Sequence, residues 1–161
     1  MKFKNQEVHD AISRLKKQYY LFSHNQFISY YLLASNIPKN DILDVEDLID
    51  SDKYYVAEGY DLQKLYEQIL VFVRFMQKVK EKVLSQIEND SERRLRKLSH
   101  DDKVLFRMTI DNIPKNIKMF HQLISELFIE VRKQDRTMNG EDGMLFYQLP
   151  WLKEIEKALD T

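Results

Sequence analysis

Apolar residues recur along this chain at steps of three and four, the spacing of one face of an α-helix. The clearest run is Leu62, Leu65, Ile69, Phe72, Met76, Val79 and Val83. Tyr66, Leu70, Val73 and Leu84 widen it. A face this broad fits a helix packed on several neighbours, as in a bundle, better than a thin two-stranded coil. Asp61 stands just before it as an N-cap. A second run, Ile113, Ile117, Phe120, Ile124, Leu127 and Val131, predicts a helix over 113–134, broadened by Met119, Leu123 and Phe128. A third, Val8, Ile12, Leu15, Tyr19 and Phe22, predicts an N-terminal helix. That helix either continues to Ala34 or breaks at Ser23-His24-Asn25-Gln26, which reads as a capping box.

Shorter signals fill the gaps. Ser99 followed by Asp101 and Asp102 is an N-cap with an acidic first turn, opening a helix to about residue 110. The central helix ends near Asn89-Asp90-Ser91 or runs on to Leu98. Residues 44–50 suit a short helix, and Pro150 opens a last one over 151–159. The pentapeptide Asn-Ile-Pro-Lys-Asn occurs at 36–40 and at 112–116. It marks a duplicated unit, a helix start with Asn as cap, or, for Pro114, a kink inside one helix from 100 to 134. The expected fold is all-α: a single helical-bundle domain over 1–161, with four to five main helices, long, antiparallel and amphipathic. Residues 41–60 form its irregular acidic connection and 135–149 a loop.

Composition narrows the function. Three glycines and three prolines exclude glycine-rich phosphate loops and a turn-rich β-sandwich. With no Cys, disulfides, thiolate metal sites and cysteine nucleophiles are excluded. The longest apolar run, Ile69 to Val73, is far short of a membrane span. The first ten residues hold no apolar stretch of a signal peptide, so the expected location is cytoplasmic. The net charge of −1 hides an uneven distribution: residues 1–40 carry +4 and residues 41–67 carry −7.

Candidate chemistry is sparse. None of the four His has a Glu three residues before it or a His four away, so the dimetal and HExxH patterns are absent. His9, His24 and His121 are too scattered in sequence to argue a site, and His121, beside the 113–131 seam, is expected at the edge of the core with a hydrogen bond. Asp135 to Glu141 begins like a calcium loop, with Gly140 at its sixth position, but its twelfth position is Phe146, where a bidentate Glu is required. A Gly-containing loop closing a helix explains it better. No metal and no cofactor are expected.

Arg94 and His100, with five residues between them, resemble the Arg-x(4–6)-His motif of the HEPN ribonucleases. The resemblance implies His100 as general acid or base and Arg94 on the phosphate. Leu95 departs from the polar residue that family carries after its Arg, and eight Arg with four His supply such spacings by chance. The basic stretch from Arg74 to Lys97 is interleaved with Glu and Asp, so a solvated helix face is favoured over a nucleic-acid site.

The acidic stretch is more distinctive. Acidic, aliphatic and tyrosine side chains alternate there, a surface suited either to a basic partner or to this protein's own basic helices. Asp44, Asp47, Tyr54, Tyr55 and Tyr60 are its candidate partner-binding residues. In the doublets Tyr19-Tyr20, Tyr30-Tyr31 and Tyr54-Tyr55, adjacent side chains diverge by ~100° on a helix, so at most one of each pair points inward. The functional expectation is a non-enzymatic, cytoplasmic interaction or regulatory protein of adaptor or chaperone-like kind. Its expected partner is another protein, including itself as a homodimer. The alternative is a nucleic-acid-directed protein, a binder or a ribonuclease using Arg94 and His100.

Overall fold

The computed structural model describes residues 2–23, 59–143 and 150–160. In chain order these form β1 (Lys2–Phe3), α1 (Gln6–Ser23), β2 (Tyr60–Asp61), α2 (Leu62–Lys78), a π-turn (Val79–Val83), α3 (Leu84–Leu95), α4 (His100–Asn139) and α5 (Pro150–Leu159). Among the described residues the molecule is all-α apart from one antiparallel pair, Lys2 opposite Asp61 and Phe3 opposite Tyr60. The sequence signals for 24–58 and 144–149 lie outside the described residues.

Side-chain caps start α1, α2 and α4, those at Asp61 and Ser99 where the sequence predicts them. The Asp61 carboxylate accepts from the Lys64 amide at 3.1 Å. Ser99 Oγ accepts from the Asp102 amide at 3.3 Å. Asn5 caps α1, its Oδ1 accepting from the amides of Glu7 and Val8 at 2.9 and 3.2 Å. Each satisfies a donor that the first helical turn leaves unpaired.

Of the readings given for Pro114, the single helix holds: 100–110 and 113–134 belong to one helix of 40 residues, with Pro114 inside it. Asn112 therefore caps nothing. Ile113 and Ile117, buried on either side of Pro114, hold the helix on course through the missing backbone donor. The loop forecast from residue 135 begins instead at Gly140, and Asp135 is helical. The central helix ends at Leu95 but contains a π-turn, closed by the Leu84 amide on the Val79 carbonyl. Its apolar seam shows it: Val79, Val83 and Ile87 step by four and four, where the seam before it alternates three and four.

The helices share one hydrophobic core. Asn5 meets Gln134, Arg14 meets Glu126 and Tyr19 meets Phe120, so α1 runs antiparallel to α4. The four-residue link 96–99 folds α4 back along α2. α5 lies against α2, with Tyr66 beside Trp151 and Arg74 paired to Glu154 through two bonds of 3.0 Å. That pairing holds the Glu154 carboxyl below its usual range. Tyr19, Phe72, Phe75 and Phe120 interlock at the centre, with ring centroids 5.3–6.3 Å apart, inside the range of favourable aromatic pairs. Tyr19 is buried and its neighbour Tyr20 exposed, as a doublet on a helix requires. No helix among the described residues is long and apolar enough to cross a membrane.

Candidate functional site

The main polar cluster of the interior is built around Asp135, which is 0% exposed. Its Oδ2 accepts from the Tyr66 hydroxyl at 2.5 Å and from Arg132 Nη1 at 3.0 Å. Its Oδ1 accepts from Asn139 Nδ2 at 2.9 Å. Arg132 and Asn139 follow from the helix itself, lying three residues before and four after Asp135 on the same face. Tyr66 comes from α2, across the core. Burial, reinforced by the bond to Asp135, pushes ionisation of the Tyr66 hydroxyl well above the usual phenol range. Burial opposes the Arg132 charge, but Tyr66, Asp135 and Glu156 outweigh it and the guanidinium is held more firmly protonated than usual.

Gly143 closes this cluster. Its φ is +60°, and a Cβ there would stand 2.5 Å from Asp135 Oδ2 and 2.8 Å from Arg132 Nη1. Both carboxylate oxygens are thus engaged within the fold, and the chain turns over them. Asp135 is thus not presented at the start of a loop: it is helical, and its oxygens are bound by side chains of α2 and α4. The cluster is a buried anchor joining α2 to α4, with its donors and acceptors matched.

The histidines are dispersed. His9 Nδ1 lies 2.7 Å from the Tyr60 hydroxyl. His121 Nε2 lies 3.1 Å from the Leu159 carbonyl, a bond at the edge of the core. Among the described residues no three of His, Asp and Glu converge as a metal site requires.

Arg94 and His100 flank the turn between α3 and α4. Arg94 is half-buried and His100 exposed. Of the five residues proposed for partner binding, Asp44, Asp47, Tyr54 and Tyr55 lie outside the described residues. Tyr60 is 4% exposed, paired to Phe3 in the short sheet and bonded to His9. It is a core residue and unsuited to anchor a docking surface. Gly59 beside it, at φ +84°, has no Cβ to strike the Phe3 carbonyl, which is what lets β1 approach.

Two surface features stand out. The first is an apolar strip on α4: Val104, Leu105 and Met108 are 47%, 44% and 56% exposed. They lie across the helix from Phe106 and Ile113, which are buried. The second is a groove of about 590 Å³ between the π-turn and the middle of α4. Lys80, Pro114, Ile117, Lys118, His121, Gln122 and Ser125 line it. Sequence reasoning placed His121 correctly but missed the groove, since Lys80 reads as one cation of a solvated face. It also missed the Tyr66–Asp135 pair, whose members are 69 residues apart. Comparison with known protein families, curated proteins and solved structures finds no match to this chain.

Proposed function

We propose that this chain is a cytoplasmic, non-enzymatic interaction or regulatory protein that pairs with a second copy of itself through the exposed strip of α4. The observation that carries the proposal is the burial pattern of that helix. Three large apolar side chains point outward from a segment whose opposite face is already committed to the core. Isolated exposed apolar residues are ordinary, but neighbours on one face mark a contact surface.

Charge supports a second copy as the occupant. Asp101 stands seven residues before Met108 and Lys115 seven after, and both are exposed on the face that carries the strip. Two copies crossing antiparallel about Met108 set apolar against apolar at the centre. At each end Asp101 then faces the partner subunit's Lys115. A two-fold contact of this kind is self-complementary, as isologous interfaces must be.

Light scattering on a size-exclusion column tests it. The wild-type chain should elute as a dimer at micromolar concentration. Met108→Glu should shift it to monomer, weakening association by about tenfold or more. Asp101→Lys and Lys115→Asp should each weaken it, and their combination should restore it. A monomer at every concentration, or a dimer indifferent to Met108→Glu, would overturn the assignment.

A further inference from the structure

The groove on the other side of α4 has the composition of a ligand site. Two interruptions of regular helix meet across it: Lys80 belongs to the π-turn, and Pro114 is the one position where α4 lacks a backbone donor. Both devices are costly inside helices, and π-turns recur at functional positions. Its floor is apolar. Ile117 separates it from a small apolar gap bounded by Phe75, Met76, Val79 and Phe120, so the groove rests directly on the aromatic core.

Its rim is cationic. Lys80 and Lys118 contribute two ammonium groups, Gln122 and Ser125 neutral donors and acceptors, and among the described residues no carboxylate lines it. His121 is already fixed in place. Its Nε2 faces the Leu159 carbonyl, which can only accept, so Nε2 carries the proton and Nδ1 is the polar atom left to the ring. The volume lies within the roughly 300–1,000 Å³ of small-molecule sites. An apolar floor beside two ammonium groups selects for a ligand with both an anionic head and an apolar body.

We propose that this groove binds a small amphipathic anion, a carboxylate or phosphate carried on an apolar body. Lys80 and Lys118 take the head, and Pro114 and Ile117 take the body. The site is separate from the self-association strip, so neither proposal depends on the other.

Titration calorimetry on the full chain tests it with four probes: decanoate, decyl phosphate, decanol and inorganic phosphate. At least one decyl anion should bind at a single site, with decanol and inorganic phosphate weaker by about tenfold or more. The ratio of decanoate to decyl phosphate affinity tells which head the site takes. Lys80→Gln with Lys118→Gln should weaken the anion by about tenfold or more without lowering the melting temperature, since both lysines are exposed. Lys153→Gln, a surface lysine outside the groove, should leave affinity unchanged. No binding of either decyl anion up to millimolar concentration would overturn the proposal. So would equal loss in the Lys153 variant, or full affinity in the double variant.

Discussion

Asp135 shows what a single buried charge demands of its surroundings. A carboxylate removed from water is tolerated only when its lone pairs are matched, and here three side chains and one glycine are committed to it. Tyr66→Phe removes one donor and leaves the charge in place, so it should cost about 1–3 kcal/mol in denaturant unfolding at neutral pH. The deficit should depend on pH in a defined direction. The folded protein holds the Tyr66 proton more tightly than the unfolded chain, whose phenol ionises near 10.0. Its contribution is therefore complete below that value and is lost as pH rises above it. The gap between wild type and Tyr66→Phe should narrow above pH 10.0. Gly143→Ala attacks the same cluster from outside. It forces a Cβ to 2.5 Å from Asp135 Oδ2 at a φ that L-residues rarely adopt. A loss of about 1–3 kcal/mol, read from the melting temperature, is expected.

The helices show where local signals are enough and where they fail. Asp61 and Ser99 were legible because a cap is a bond between a side chain and a backbone three residues on. Pro114 was ambiguous because its local cost is outweighed by distant partners: Ile113, Ile117 and Phe120 are buried on neighbouring turns. Restoring the donor should then be favourable. Ala exceeds Pro in a helix interior by about 3 kcal/mol, less up to about 1 kcal/mol for the freer unfolded chain. Pro114→Ala should raise the unfolding free energy by about 2 kcal/mol in a denaturant titration, and a loss of stability would mean that proline itself is required there by packing. Asp135 was assigned to a loop because the apolar run ends at Val131 and the stretch from Asp135 to Glu141 begins like a calcium loop. Only Tyr66, far away in sequence, shows otherwise. The groove was hidden for the same reason, its lysines lying on two helices that meet only through the fold. The 4-4 spacing of Val79, Val83 and Ile87 was the one trace of the π-turn that the sequence did carry.

The whole molecule is unevenly supported along its longest helix. At 1.5 Å per residue α4 spans roughly 60 Å. Its C-terminal half is flanked by α1, α2 and α5, through Asn5–Gln134, Tyr19–Phe120, Tyr66–Asp135 and His121–Leu159. Among the described residues its first third has α3 as its neighbour, and α3 contributes Ile87 alone to the fully buried set. Opening free energies should follow this gradient. In native-state hydrogen exchange the amides of Phe120 to Val131 should open only with global unfolding. Those of Val104 to Asp111 should open locally, at least about 2 kcal/mol more easily. The gradient also separates fold from association. If the strip of Val104, Leu105 and Met108 closes against a second copy, protection of its amides should grow with protein concentration by mass action. Protection of Phe120 to Val131 in the monomer should stay at the global limit. Uniform protection from residue 104 to 131 in dilute monomer would mean that the first third of α4 needs no partner to be stable. The outward apolar strip would then have to be explained by something other than self-association.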